Sequence, residues 1–163
     1  MICIRSYNPT VFKDLERLEE IRALIKGHGY ETSLENLKIS IKTLLEKASN
    51  QLFIAETPKK IVGFVALAIH PLIVTPFNRC RIEILIVDKY YRRQGIGKQL
   101  MEEAEKYALT ENVSIMDLTS SLKREQNGAH AFYNNLGYDN EQGQEKRVYF
   151  RKRIRKNPRG TTV

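Results

Sequence analysis

The feature that most constrains this chain is an apolar run that leads through a short glycine-containing turn into an amphipathic helix. The run RIEILIV occupies residues 81–87 and the turn RRQGIG occupies 92–97. Apolar side chains then recur at helical spacing from Ile96 to Ala108. A buried strand followed by a turn and a helix is typical of a sheet layered against helices. The sequence therefore predicts an α/β fold around one central sheet.

Other elements follow from the same patterns. Period-two alternation or continuous apolar runs predict strands at 2–7, 51–57, 60–69, 114–119 and 146–154. The second and third of these form a hairpin across Pro58 and Lys59. Apolar residues at helical spacing from Leu15 onward predict one helix that ends at Gly27-His28-Gly29, and a second helix that Ser33 caps. A short helix is predicted at 128–137.

Length and composition favour a single domain. The chain has 163 residues, of which 42% are hydrophobic, enough for one core. We expect the domain at 1–154 and a basic tail at 155–163. The longest apolar stretch is about half of the roughly 20 residues that a membrane span needs, and the start lacks a signal-peptide core. We therefore expect a cytoplasmic protein without membrane contact. Cys3 and Cys80 indicate neither a disulfide framework nor a metal site.

The net charge of +8 belongs to the end of the chain. From Lys146 onward there are eight basic residues and no Asp or Glu, and the remaining residues contain equal numbers of basic and acidic side chains. The basic character is therefore a property of the C-terminus and not of the domain.

The turn at 92–97 contains residues suited to holding a phosphate group. Backbone N–H groups at the start of a helix lack intrahelical partners and carry partial positive charge. Gly95 and Gly97 lack the Cβ atoms that would keep a phosphate away, and three nearby residues are basic. The turn therefore predicts a pyrophosphate site. For the glycines alone, an ordinary strand-to-helix turn stays the alternative.

Two common phosphate-binding motifs are not matched by this turn. A P-loop needs a glycine five residues before Gly97 and Ser or Thr after Lys98, and the chain has neither. The dinucleotide-binding fingerprint needs a third glycine where Leu100 stands. Both motifs are therefore excluded as the source of the phosphate site.

This stretch resembles the central motif of the GNAT superfamily of N-acetyltransferases. The family has Arg or Gln followed by glycines three and five residues later, which Arg92, Gly95 and Gly97 match. The preceding LxV is matched by Leu85 and Val87, and AHAFYNNLGY at residues 129–138 is similar to the family's AxxFYxxxGF segment. The resemblance implies a mixed central sheet of about six to seven strands, with about four flanking helices and strands 4 and 5 splayed.

The resemblance implies acetyl-coenzyme A as co-substrate and a primary amine as acceptor. N–H groups at 93–98 would bind the pyrophosphate, and the backbone of the strand would pair with the pantetheine arm. An N–H near Ile86 or Val87 would donate to the thioester oxygen. Gln126 stands where many members have Asn, and Asn127 follows it. The implied cofactor-binding residues are Leu85, Ile86, Val87, Arg92, Arg93, Gln94, Gly95, Ile96, Gly97, Lys98, Gln126 and Asn127.

Acyl transfer to an amine needs two proton movements. An alkylammonium with a pKa of about 10.4 must lose a proton before it attacks, and the thiolate leaves more readily when it is protonated. Tyr133 matches the family position near the sulfur and is assigned as general acid; a buried structural aromatic is its alternative. Glu83 is the candidate base, because in a regular strand it shares a face with Leu85 and Val87. A solvated strand carboxylate is the alternative for Glu83, and a water relay to another group stays open.

The acceptor is the least determined part of the prediction. The family places its entry beside segments that correspond here to 26–32, 70–79 and 139–145, and either a small molecule or a peptide amine fits. The competing hypothesis is a catalytically weak binding module whose basic C-terminus contacts nucleic acid or an acidic partner. A homodimer stays open.

Overall fold

The computed structural model describes residues 1–7, 15–121, 125 and 128–138. The chain divides into two compact units, Met1–Ser121 and Leu122–Val163. The first unit contains five strands and three α-helices, and the described part of the second contains one short helix. The proposed boundary between a domain at 1–154 and a tail at 155–163 stays a prediction, since it lies outside the described residues.

The elements of the first unit occur in the predicted order. They are β1 (Cys3–Ser6), α1 (Leu15–Gly27), α2 (Leu34–Glu46), β2 (Gln51–Glu56), β3 (Ile61–Pro71), β4 (Asn78–Val87), a 3₁₀ turn (Lys89–Tyr91), α3 (Ile96–Thr110) and β5 (Val113–Asp117). Ser33 caps α2 as predicted, because its hydroxyl accepts a hydrogen bond from the N–H of Asn36 at 3.1 Å. In the second unit α4 spans Ala129–Asn135, and Gly137 follows it with a left-handed φ of 86°.

The five strands form one mixed sheet in the order β1-β2-β3-β4-β5. Neighbouring strands from β1 to β4 are antiparallel, and β5 is parallel to β4. The predicted α/β class with a mixed central sheet is confirmed. Five strands are fewer than the six to seven expected, and the predicted strand at 146–154 falls outside the described residues. None of the described helices has the length and apolar character to cross a membrane.

Helices cover both faces of the sheet. Residues of α1 and α2 pack in one apolar cluster with Leu52, Ile54 and Phe64 of the neighbouring strands. On the other face α3 buries Leu100, Met101 and two alanines and contacts all five strands. Every residue of β3 from Ile61 to Ile69 is buried, because this strand is covered from both sides.

The strands around the β3–β4 connection differ from the prediction. Strand β4 begins at Asn78 and not at Arg81, and β3 extends to Pro71. Asn78 and Arg79 precede the predicted strand, but the strand alternation already includes them, because Arg79 is exposed and Cys80 is buried. Strand β5 ends at Asp117, two residues before the predicted end.

Candidate functional site

Strands β4 and β5 lie side by side only over the first part of β4. Their parallel pairing ends at Arg81 with Asp117, and residues 82–87 have no partner on β5. Asp117 accepts hydrogen bonds from both Arg79 and Arg81, the second at 2.6 Å. The predicted splaying of strands 4 and 5 is confirmed. It leaves an edge of β4 without a neighbour among the described strands, where an extended ligand can form strand-like hydrogen bonds.

A β-bulge interrupts β4 at Glu83. Ala66 of β3 pairs with Ile84, whereas the next residue, Leu67, pairs with Ile82. Glu83 is therefore the extra residue, and the strand changes its side-chain alternation there. Bulges of this kind commonly redirect a side chain beside a functional site.

The bulge places Glu83 on a different face from Leu85 and Val87. A side-chain carbon of Val87 lies 3.4 Å from where a Cβ on Gly63 would be, on the side where Leu100 of α3 is 3.3 Å from the same point. Glu83 instead lines a cavity together with residues of α1 and α2. The prediction of one shared face is wrong, because period-two counting does not include the extra residue.

Asp88 fixes the turn that follows β4. Its carboxylate accepts hydrogen bonds from the backbone N–H of Tyr90 at 3.0 Å and from Lys60 Nζ at 2.8 Å. Its own N–H donates to the carbonyl of Val62 at 2.9 Å. Burial alone would raise the pKa of Asp88, but the hydrogen bonds from Lys60 and Tyr90 outweigh it, so the pKa lies below its usual value. Asp88 is therefore a charged anchor for the turn.

The N-terminus of α3 is open to solvent and has no side-chain cap. Gly95 occupies the N-cap position with a left-handed φ of 77°, and its carbonyl accepts the first helical hydrogen bond from Gln99 at 3.0 Å. The N–H groups of 96–98 have no intrahelical acceptor. Arg93 also has a left-handed φ of 60°, which costs about 1–3 kcal/mol and occurs preferentially at functional sites.

Basic side chains surround this helix N-terminus. Arg92, Arg93 and Lys98 are exposed, and Arg92 Nε donates to the carbonyl of Val87 at 3.1 Å. A cavity of about 290 Å³ adjoins the turn, and its basic lining residues are Lys60, Lys89 and Arg92. The structure thus brings the predicted residues 92–98 together with the end of β4. Gln126 and Asn127 fall outside the described residues.

A larger cavity of about 450 Å³ lies on the α1–α2 face of the sheet. Its lining includes Tyr30, Glu31 and Thr32 from the connection between α1 and α2, and Glu83 from the bulge. The segment 26–32, predicted to border the acceptor entry, therefore contributes to the same cavity as the candidate base. Of the segment 70–79, the first two residues belong to β3 and the last two to β4, and residues 72–77 connect the two strands.

Tyr133 lies in α4 of the second unit and is half-buried. Its ring makes edge-to-face contacts with Phe132, at a centroid distance of 5.1 Å, and with Tyr138 at 6.3 Å. These contacts orient the ring. The role of Tyr133 as general acid stays a prediction.

Three residues that organise the site were not singled out from the sequence. Asp117 holds the point where β4 and β5 separate, while Asp88 and Lys60 hold the turn. Asp88 and Asp117 each follow an apolar run, and Lys60 stands immediately before one. A charged residue at the boundary of a strand was the available signal. Among the described residues, His, Cys, Asp and Glu form no group of three suited to a metal ion.

The sequence pattern of the acetyltransferase (GNAT) family matches residues 15–138, which include the splayed strands, the α3 turn and α4. The chain belongs to the GNAT acetyltransferase family. The match includes both segments from which the resemblance was first inferred. No match was found among curated protein sequences.

Solved structures of other acetyltransferases share this fold. A GNAT family acetyltransferase from Staphylococcus aureus is 21% identical with a TM-score of 0.73, over 94% of this chain and 98% of the other. An aminoglycoside acetyltransferase from an uncultured soil metagenomic sample is 18% identical with a TM-score of 0.74, over 94% and 97%. Glucosamine-6-phosphate N-acetyltransferase from Arabidopsis thaliana is 15% identical with a TM-score of 0.65, over 92% and 99%. At these identities the similarity concerns the GNAT fold and not the acceptor.

Proposed function

We propose that this GNAT protein transfers the acetyl group of acetyl-coenzyme A to a primary amine. The observation that carries the proposal is the uncapped N-terminus of α3 beside the unpaired edge of β4. An anion-binding helix end and a free strand edge suit the two chemically different parts of coenzyme A, its pyrophosphate and its amide-containing arm.

The pyrophosphate would be held by the turn at 92–98. The left-handed conformations of Arg93 and Gly95 lead the chain into a helix whose first N–H groups lack intrahelical acceptors. The exposed side chains of Arg92, Arg93 and Lys98 add positive charge. Gln94 donates to the carbonyl of Tyr90 at 3.3 Å, which supports the turn from within.

The pantetheine arm would lie along the edge of β4. Backbone groups of Leu85, Ile86 and Val87 belong to the part of the strand that has no partner on β5. An N–H of Ile86 or Val87 would donate a hydrogen bond to the thioester oxygen, where negative charge develops during attack. Gln126 or Asn127 would add an amide contact to the cofactor.

Proton transfer would be assigned to Glu83 and Tyr133. Glu83 is exposed at the bulge and forms no ion pair or side-chain hydrogen bond with the described residues, so its carboxylate is available to accept a proton from the ammonium. Tyr133 would give a proton to the departing sulfur, for which a phenol is a suitable acid. Acetyl-coenzyme A supplies the activated acetyl thioester.

A substitution at Gly97 tests the cofactor site. Acetyl-coenzyme A at 100 times its Kd stabilises the protein by about 2.7 kcal/mol, or about 5–10 °C in Tm for a chain of this size. In Gly97→Val the added side chain should keep the pyrophosphate away from the helix N-terminus, so the shift should disappear. Thermal melts with and without acetyl-coenzyme A measure this.

Lys106→Val is the matched control for helix propensity. It places the same residue later in α3, at a side chain that is 73% exposed. The control should retain the full shift. A full shift in Gly97→Val would contradict the assignment of the turn.

The alternative binding module depends on basic residues from Lys146 onward, which lie outside the described part of the chain. Deletion of 156–163 tests it. If the tail carries the function, truncation abolishes acceptor activity or a nucleic-acid complex at 0.15 M salt. The acetyltransferase proposal expects acetyl-coenzyme A affinity and Tm to stay nearly unchanged.

A further inference from the structure

The cavity of about 450 Å³ on the α1–α2 face has mainly apolar walls. Its apolar side chains come from two helices and three strands, among them Ile25, Leu37, Leu44, Phe64 and Ile84. Pockets of roughly 300–1,000 Å³ commonly hold small organic ligands. The cavity is therefore large enough for a small molecule and offers it mostly hydrocarbon contacts.

The charged residues of this cavity are all acidic. Glu31 and Glu83 are its only ionisable carboxylates, and no Lys, Arg or His is among the described residues that line it. Neither carboxylate forms an ion pair with another described side chain. Asp88 and Asp117, by contrast, are paired with basic side chains. The described lining therefore attracts a cation, and it contains no basic side chain that would neutralise the two carboxylates.

From these two properties we infer that the acceptor is a primary amine carried by an apolar body, such as an arylalkyl or alkyl amine. The inference rests on the proposed acetyl transfer and narrows its acceptor. The ammonium group is attracted by Glu31 and Glu83, and the apolar body packs against the walls from α1, α2 and β3. Tyr30, Thr32 and Ser40 supply the few uncharged polar groups.

The same properties disfavour two other acceptor classes. A phosphorylated amino sugar brings negative charge to a wall that has two carboxylates and no described base. An acceptor with many hydroxyl groups must bury some of them against hydrocarbon, and each unsatisfied polar group costs about 1–3 kcal/mol. Both classes therefore bind less well than an apolar amine of similar size.

The reaction balances with the groups already assigned. The ammonium acceptor loses one proton to Glu83 and then to solvent, and its nitrogen forms the new amide bond to the acetyl carbon. The bond between that carbon and sulfur breaks. The sulfur receives a proton from Tyr133, and a second proton leaves the nitrogen and returns to Tyr133 through solvent. The products are the N-acetyl amine, free coenzyme A and one released proton.

Steady-state assays with three acceptors test the inference. Release of coenzyme A is measured with 2-phenylethylamine, kanamycin and glucosamine 6-phosphate, and mass spectrometry confirms the acetylated product. We expect kcat/KM for 2-phenylethylamine to exceed the other two by at least about tenfold, which is about 1.4 kcal/mol. An equal or higher value for kanamycin or glucosamine 6-phosphate overturns the inference and leaves the proposed acetyl transfer intact.

A binding measurement separates failure of the inference from failure of the proposed function. Calorimetric titration of 2-phenylethylamine into the protein with coenzyme A present should show binding that weakens as salt rises. Binding of coenzyme A without any binding of 2-phenylethylamine overturns the acceptor class alone. Absence of any acetyl-coenzyme A binding overturns the proposed function.

Glu31→Gln tests the role of charge in the cavity. It keeps the side-chain shape and should raise KM for 2-phenylethylamine by about 3- to 10-fold, and raise it more than it lowers kcat. Glu46→Gln, at the exposed end of α2 and away from the cavity, is the matched control and should leave both values unchanged. An equal rise in KM for the two variants would show that the net charge of the protein, and not this cavity, attracts the amine.

Discussion

Gly63 lies in β3 where β4 leaves no room for a side chain. A Cβ at this position would lie 2.9 Å from the carbonyl oxygen of Ile86, 3.3 Å from Leu100 Cδ1 and 3.4 Å from Val87 Cγ2. The nearest atom belongs to the backbone and cannot rotate away, so one of the two strands has to move. We predict that Gly63→Ala destabilises the protein and displaces β4 where acetyl-coenzyme A is proposed to bind.

The expected size of the effect comes from two opposing contributions. Replacing glycine by alanine without a steric conflict stabilises a protein by about 0.4–1 kcal/mol, because the unfolded chain has fewer conformations. Overpacking a core costs about 1–3 kcal/mol, and a backbone contact belongs in the upper part of that range. The net loss of stability is then about 1–2.5 kcal/mol, which lowers Tm by about 2–10 °C for a chain of this length.

Thermal melts and calorimetric titration with acetyl-coenzyme A measure the two effects of Gly63→Ala. The control is Gly27→Ala at the end of α1, where an added Cβ has no atom within 4 Å. The control should keep or slightly raise Tm. A Gly63→Ala protein with the parent's Tm and affinity would refute the argument that β3 and β4 are in contact at this point.

Three further predictions concern the acid, the pH dependence and the thiols. Tyr133→Phe should retain acetyl-coenzyme A binding while the transfer rate falls by about 10- to 10³-fold, and an unchanged rate would make the hydroxyl irrelevant. The hydrogen bond from Arg5 lowers the pKa of Glu56, so this pair stabilises the fold above pH about 4.5 and the stabilisation is lost as pH falls through the lower folded-state pKa. Denaturant unfolding across that range should show a steeper loss for the parent than for Glu56→Gln. Burial raises the pKa of the Cys80 thiol to about 12, whereas Cys3 is exposed, so a thiol reagent at pH 8 should modify one thiol in the folded protein and two after unfolding.

Much of the fold could be predicted because its signals are local. The Ser33 cap, the helix end at Gly27 and the hairpin at Pro58 each depend on a few neighbouring residues. The turn at 92–97 could be assigned to a phosphate for the same reason, since its glycines and basic residues are adjacent in sequence. The structure agrees with the Ser33 cap, the end of α1 and the β2–β3 hairpin, whereas the phosphate site at the turn stays a prediction.

The features that were missed depend on pairing between distant segments. The bulge at Glu83 exists only in the register of β4 against β3, and nothing within RIEILIV distinguishes it from a regular strand. The early start of β4 depends on distant segments too, because Asn78 pairs with Val113 of β5 and its N–H donates to the carbonyl of Asn112 at 2.9 Å. Assigning alternate residues to opposite faces of a strand is correct only where each residue has one partner on the neighbouring strand. The face of Glu83 was therefore predicted wrongly.

The position of the Asp117 carboxylate also determines how much of β4 is left without a partner on β5. Pairing between β4 and β5 stops at this residue, so six residues of β4, 82–87, have no partner on β5 before the turn. At about 3.3 Å per residue this edge measures roughly 20 Å. In the proposed complex this edge spans the distance between the helix N-terminus that would bind the pyrophosphate and the point where β4 and β5 separate. Moving the carboxylate by two residues along β5 would keep it on the same face of the sheet and would change the length of the free β4 edge by about 7 Å. The position of one side chain can therefore set the distance between phosphate and acyl group that such a fold accommodates.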